Sequence, residues 1–182
     1  MTFGGAGNDI INERVEVHEL FPTPLYVVTL SFKESYKIKE EFRKESLKVV
    51  YNEREKPKNE IEPYVTLSWL NWTSDNQFHH YHAHPNSLVS GVFYIECEQT
   101  DSIVFELGNY KRILIDSERT DRFNTHKYTL PVQKHDLILF PSELIHAVEE
   151  KQQNGKERIS LSFNSFVTGT LGRYDRATEL KL

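Results

Sequence analysis

The sequence contains few of the features that stabilise secreted or membrane-embedded proteins. Its single cysteine, Cys97, excludes an internal disulfide, and no apolar run approaches the length of a membrane-spanning helix. No segment has the pattern of a secretory signal. These absences predict a cytoplasmic protein without a membrane partner.

Positive charge is also scarce. The chain has 22 lysines and arginines against 27 acidic residues, which gives a formal net charge of -5. Such a chain has no general electrostatic attraction to a phosphate backbone. We therefore expect no nucleic-acid partner.

Aromatic residues, by contrast, are abundant. Eleven Phe, nine Tyr and two Trp stand against a single Met, a composition typical of domains packed from half-buried strands. A length of 182 residues suits one domain. We predict a flexible N-terminal arm at 1–14, a single domain at 15–168 and a C-terminal tail at 169–182.

After a polar break at 57–63, most of the chain reads as short strands, including one at 111–116, separated by polar turns, which is typical of a sandwich or barrel. The polar loop at 117–125 could line the entrance to a site. Residues 15–30 predict two further extended stretches split by Pro22 and Pro24. Between 31 and 56 the apolar residues recur at helical spacing, which predicts one or two flanking N-terminal helices. The fold class is therefore mostly β with a small helical addition.

Histidine is concentrated in one place, because four of the eight lie at His79, His80, His82 and His84. Alternation along a strand sends His82 and His84 to one face, where they could share a metal ion. His80 has the same parity, so His80 with His82 is a competing pair. Pro85 and Asn86 predict a turn directly after the cluster, although a solvated histidine-rich loop is an alternative interpretation.

A third ligand would come from a distant strand. His146 is the best candidate because it lies in the apolar stretch LILFPSELIHAVEE, where the alternative is a hydrogen-bonded core histidine. With the upstream His-x-His, a metal site becomes the favoured interpretation. Zinc, nickel and iron all accept imidazole, so the residue types leave the metal open.

The segment from Arg158 to Asn164 alternates regularly between polar and apolar residues. Its polar face could lie in water, or it could point inward and offer Arg158 and Ser160 to a carboxylate. A two-residue hairpin turn at 154–155 would place His146 and Arg158 on opposite faces. A shared cavity therefore requires a bulge or a loop of odd length in this hairpin.

Taken in order, His-x-His, a second His and Arg-x-Ser resemble the iron and 2-oxoglutarate oxygenases of a type found in marine bacteria and their phages. The resemblance covers most of residues 15–167. The segments that carry it are LFPTPLY at 20–26, HAHPNSLVSGVFYIE at 82–96, LILFPSELIHAVEE at 137–150 and ERISLSFN at 157–164.

The resemblance implies a double-stranded β-helix (a jelly-roll or cupin-like barrel) that holds Fe(II) and uses 2-oxoglutarate as co-substrate. It assigns His82, His84 and His146 to the metal. Arg158 would pair with the C5 carboxylate, with Ser160 beside it, and Tyr94 would also contact 2-oxoglutarate. The implied reaction hydroxylates an unidentified small molecule or protein side chain and releases succinate and carbon dioxide.

One departure from the family pattern concerns His84, where these enzymes usually have Asp or Glu. A third imidazole raises the net charge of the site by one unit, so zinc or nickel could also occupy it. A cupin-like metal enzyme without an oxoacid is one alternative function, although the acid expected soon after His-x-His is missing and the nearest is Glu96. A non-enzymatic β-sandwich, as a binding or phage structural module, is another. A homodimer could form through an open sheet edge.

Overall fold

The computed structural model describes residues 23–30, 42, 61–108, 118–119, 125–151 and 155–171, together with the backbone of 178–180. Within this part the chain forms strands joined by short turns. The strands are β1 (Tyr26–Thr29), β2 (Ile61–Thr73), β3 (His79–His82), β4 (Val89–Glu96), β5 (Ser102–Glu106), β6 (Lys127–Pro131), β7 (Asp136–Pro141), β8 (Ile145–Val148), β9 (Arg158–Leu171) and β10 (Thr178–Leu180).

The strands form two antiparallel sheets. The six-stranded sheet has the order β1-β7-β4-β9-β10, with β2 also paired to β9, and the four-stranded sheet has the order β3-β8-β5-β6. Consecutive strands therefore often belong to different sheets, as in a double-stranded β-helix. The predicted fold class, mostly β, is confirmed.

Apolar side chains cover both faces of the six-stranded sheet, because β4 and β7 alternate between two clusters. One cluster lies between the sheets and joins Val92 and Phe140 to Ile103 and Phe105 of the four-stranded sheet. The other, on the outer face, contains residues from β4, β7 and β9. A strand buried on both faces reads as a continuous apolar run, as LILF in β7 does.

Phe42 covers part of the outer face. It is buried, and its ring meets that of Phe163 edge-on with centroids 5.4 Å apart. The predicted helices at 31–56 otherwise lie outside the described residues, as do the arm at 1–14, the extended stretch at 15–22 and a predicted strand at 111–116. These stay predictions.

The predicted hairpin between His146 and Arg158 is wrong. β8 pairs with β3 and β5 in the four-stranded sheet, whereas β9 pairs with β2 and β4 in the six-stranded sheet. The connection between them crosses from one sheet to the other, so the parity argument for a bulge does not apply. The two side chains line one cavity because the sheets face each other.

Two strand boundaries also differ from the prediction. β2 begins at Ile61 and includes the buried Pro63, which the sequence placed in a polar break. Proline is tolerated in a strand whose other edge is open. β9 continues to Leu171 and pairs there with β10, so part of the predicted tail at 169–182 belongs to the sheet. Among the described residues, no helix is long and apolar enough to cross a membrane.

Candidate active site

Three histidines meet where the four-stranded sheet faces the cavity of the fold. His82 ends β3 and pairs in register with His146 of β8, while His84 lies two residues beyond the strand. One ring nitrogen of each residue lies within 4.8 Å of those of the other two. The ring centroids of His82 and His146 are 4.3 Å apart. The three predicted ligands therefore form one cluster.

Hydrogen bonds to the backbone fix the tautomers of two of these rings. Nδ1 of His82 lies 2.8 Å from the carbonyl oxygen of His80, and Nδ1 of His146 lies 3.0 Å from that of Leu144. A carbonyl only accepts, so each Nδ1 carries the proton and donates it. Each Nε2 then keeps a lone pair, which is the form that a metal ion requires.

His84 is held by its backbone instead. Its N–H donates to the carbonyl oxygen of Ser142 at 2.9 Å, and its ring lies against Trp69 with centroids 5.7 Å apart. The turn that follows contains Asn86 at a φ of 58°, a left-handed conformation that Asn tolerates well. The predicted turn after the metal motif is thus present.

Burial favours the neutral form of two of the three rings. Desolvation, followed by the neighbouring rings of His82 and His79, lowers the pKa of His84 to about 4. Desolvation also lowers the pKa of His146 to about 4, against the opposing effect of its hydrogen bond to Leu144. Both imidazoles are therefore uncharged at neutral pH and need no deprotonation before they bind a metal ion.

The competing pair of His80 and His82 does not form the cluster. His80 is exposed and is absent from the group of potential metal ligands. His79 instead stacks on His82 with centroids 4.5 Å apart, because the register of β3 against β8 shifts between these two residues. Strict alternation could not show this shift.

The polar face of β9 points inward. Arg158, Ser160 and Ser162 are all buried and line a cavity of about 520 Å³ that also receives the three histidines. The alternative of a surface strand with its polar face in water is therefore not what the structure shows. The guanidinium comes from one sheet and the imidazoles from the region of the other.

Tyr94 lines the same cavity from β4 and is fully buried. Burial raises the pKa of its phenol, which therefore stays protonated and able to donate. Within the described part of the chain its hydroxyl has no hydrogen-bond partner. A buried hydroxyl without a partner is costly, and its position in the cavity points to a ligand that would satisfy it.

β2 closes another side of the cavity. Asn71 donates to the hydroxyl of Ser162 at 2.8 Å and to that of Ser160 at 3.5 Å. Trp69 and Trp72 also line the cavity, and Trp72 is 60% exposed, so ordinary core packing does not describe it. Most of the polar loop at 117–125, predicted to line an entrance, lies outside the described residues.

One buried acid beside the cavity was not predicted from the sequence. Asp101 follows β4 in a turn and pairs with Arg158, its Oδ1 lying 3.1 Å from Nη1. In the sequence, the segment Glu98 to Asp101 has the composition of an ordinary polar turn. Nothing in it indicates that its last residue reaches the first residue of a strand 57 positions further along the chain.

A sequence profile of the family described as "Putative 2OG-Fe(II) oxygenase" matches residues 67–164, more than half of the chain. The chain belongs to this 2OG-Fe(II) oxygenase family. The match includes all the predicted site residues, from His82 to Ser160. It confirms the predicted family and oxygenase class, with Fe(II) and 2-oxoglutarate as the cofactor and co-substrate of that family.

No curated protein sequence matches this oxygenase family member. Among solved structures, iron-bound HygX from Streptomyces hygroscopicus is 12% identical, with 79% of this chain and 82% of HygX covered and a TM-score of 0.48. A prolyl-4-hydroxylase from Pseudomonas putida is 18% identical, with 57% and 50% covered and a TM-score of 0.38. A Burkholderia pseudomallei oxidoreductase of the 2OG-Fe(II) oxygenase family is 14% identical, with 57% and 43% covered and a TM-score of 0.43. The chain spans half or less of the length of these last two proteins.

Proposed function

We propose that this protein is a 2-oxoglutarate-dependent Fe(II) dioxygenase that hydroxylates a small molecule or a protein side chain. His82, His84 and His146 would hold the iron, and Arg158 would bind the distal carboxylate of 2-oxoglutarate. The observation that carries this proposal is the common cavity, into which a cluster of three imidazoles and a buried guanidinium both open.

The donor set fits a divalent first-row metal. Imidazole nitrogen suits iron, and the backbone hydrogen bonds of His82 and His146 aim a free lone pair away from the chain. Because all three ligands are neutral, Fe(II) would keep its full charge of about +2. The keto acid end of 2-oxoglutarate would bring one negative charge to the metal, while its second negative charge, on the distal carboxylate, would lie at Arg158.

The far end of the cavity fits a carboxylate. Arg158 is 4% exposed, and a guanidinium has N–H groups left over after its bond to Asp101. The hydroxyls of Ser160 and Tyr94 add two further donors on the same side. A carboxylate placed there would receive charge-assisted hydrogen bonds from these donors, in a site that contains little water.

When bound, Fe(II) and 2-oxoglutarate supply the oxidative chemistry, in which dioxygen is consumed, succinate and carbon dioxide leave, and one oxygen atom enters a C–H bond of the substrate. The protein contributes position and dryness. The apolar side chains of Val92, Ile103 and Phe140 form part of the cavity wall and exclude water from it. Arg158 and Tyr94 orient the co-substrate, while the histidines fix the metal at the other end.

The test is anaerobic addition of 2-oxoglutarate to the Fe(II)-loaded protein, which should produce the weak visible charge-transfer band of the chelate. Arg158→Ala should lose the band at low millimolar 2-oxoglutarate, because the distal carboxylate loses its partner. Lys134→Ala, which removes a surface cation paired with Glu96, is the matched control and should keep it.

Two results would contradict the proposal. Iron binding without any 2-oxoglutarate band would indicate a cupin-like metal enzyme. Failure to bind Fe(II), Ni(II) or Zn(II) at all would indicate a binding module whose histidines are incidental. If the band does form, succinate formation under air, measured with candidate small molecules and peptides, would identify the substrate.

A further inference from the structure

Asp101 occupies a position that neither the metal site nor the cavity explains. Its carboxylate is buried, and both oxygens have partners: Oδ1 accepts from Nη1 of Arg158 at 3.1 Å, and Oδ2 accepts from the backbone N–H of Glu98 at 2.8 Å. The backbone of Asp101 is tied as well, since its N–H donates to the carbonyl of Glu98 and its carbonyl accepts from Val132. This carboxylate has little freedom to move.

Asp101 does not line the cavity that Arg158 enters. It therefore lies behind the guanidinium, on the side away from the proposed ligand. Among the described residues, it is the charged partner that the structure gives to Arg158. A buried guanidinium without such a partner would be strongly destabilised and would turn toward water.

We propose that Asp101 is a positioning residue that holds Arg158 in the orientation needed to receive the distal carboxylate of the oxoacid. This inference rests on the proposed function. One N–H of the planar guanidinium is engaged by Asp101, which leaves the others available to a ligand in the cavity that Arg158 lines. The cost of ordering a long, flexible side chain is thus met before the co-substrate arrives.

Two effects of Asp101 on an incoming anion oppose each other. Its negative charge repels the oxoacid, whereas its hydrogen bond presents the guanidinium in one geometry. The pair is almost fully buried, where the energy of an unpaired or misdirected charge is large. We therefore expect orientation to dominate, so that loss of the carboxylate weakens binding despite removing a negative charge.

The experiment compares binding of two oxoacids to the Fe(II)-loaded protein and its Asp101→Asn variant under anaerobic conditions. Affinities are obtained by titrating the charge-transfer band. For 2-oxoglutarate the dissociation constant should rise about tenfold or more, the loss expected for a charged hydrogen bond. For 2-oxobutyrate, which chelates the metal but has no distal carboxylate, it should stay unchanged. A role in folding alone would shift both oxoacids equally.

A second pair of variants keeps the test decisive if Asp101→Asn does not fold. Asp101→Glu retains the charge and should recover part of the affinity for 2-oxoglutarate. Asp101→Asn combined with Arg158→Met removes both buried charges and should bind 2-oxoglutarate no more weakly than Arg158→Met alone. An additional loss in the double variant would overturn the inference.

The outcomes separate the two proposals. If the unaltered protein gives no band with 2-oxoglutarate, the proposed function fails and this inference fails with it. If the unaltered protein gives the band and Asp101→Asn binds 2-oxoglutarate equally well or better, only the positioning role is overturned.

Discussion

His82 and His146 show how neighbouring backbone prepares a side chain for a metal. Each donates its Nδ1 proton to the carbonyl oxygen two residues earlier in the chain, which fixes the tautomer and aims Nε2. His80, although adjacent in the sequence, contributes its carbonyl rather than its ring. The same short segment thus supplies a ligand and its orienting group.

Replacement of His146 by Asn should abolish stoichiometric Fe(II) binding, because two imidazoles rarely hold ferrous iron against water. His80→Asn is the matched control, since its carbonyl remains and its exposed ring lies outside the cluster. Anaerobic titration followed by metal analysis measures both. Loss of iron in His80→Asn with retention in His146→Asn would overturn the proposed ligand assignment.

β9 is the element on which the prediction from sequence succeeded best. Its regular alternation indicated one polar face, and the structure places that face, from Arg158 to Ser162, toward the cavity. Alternation alone could not decide whether this polar face points into water or into a cavity, and the order of the motifs along the chain favoured the cavity. It was harder to predict the sheet to which each strand belongs, because β8 and β9 are close in sequence yet pair with different partners.

The turn containing Asp101 lay beyond prediction for a related reason. Its contact with Arg158 depends on how β4 and β9 pair, and on the β4 register shift between Tyr94 and Glu96. Long-range pairings of this kind leave no local signal in composition or periodicity. The stacking of His79 on His82 depends on a similar shift in β3.

Gly91 should be a costly glycine to replace. An added Cβ would overlap the ring of Phe163, which itself packs edge-on against Phe42. Gly91→Ala should therefore lower the free energy of unfolding by about 1–3 kcal/mol, the usual cost of overpacking. Chemical denaturation followed by fluorescence measures this loss.

Gly108→Ala serves as the control, because its Cβ would meet only the end of the flexible Ile145 side chain, at 3.0 Å. Equal costs at the two positions would show that the Phe163 ring yields easily and that the outer face is loosely packed.

The molecule as a whole should become less stable in mild acid when no metal is bound. Folding lowers the pKa of His84 and of His146 from 6.5 to about 4, so the unfolded chain binds more protons between those values. The stability that these residues contribute is present above about pH 6.5 and is lost as the pH falls toward 4. Most carboxylates stay ionised at pH 5.5.

Thermal unfolding of the metal-free protein at pH 7.5 and 5.5 measures this effect. The midpoint should fall on acidification, and His146→Asn should show a smaller fall because one of the two residues is gone. An identical fall in both proteins would show that other groups control the response to acid. Cytoplasmic location, homodimer formation and the absence of a nucleic-acid partner stay predictions from the sequence.

Because the metal ligands lie beside one sheet and Arg158 lies on the other, the separation of the two sheets sets the length of oxoacid that can reach both. Packed strands fix the distance between these two binding groups, so it cannot adjust to a ligand as a surface loop could. A diacid one carbon shorter, oxaloacetate, or one carbon longer, 2-oxoadipate, would bind at the metal or at Arg158 but would not fit both. Each should displace 2-oxoglutarate poorly in a competition experiment. Displacement as effective as that by unlabelled 2-oxoglutarate would mean that the distance between the two binding groups changes.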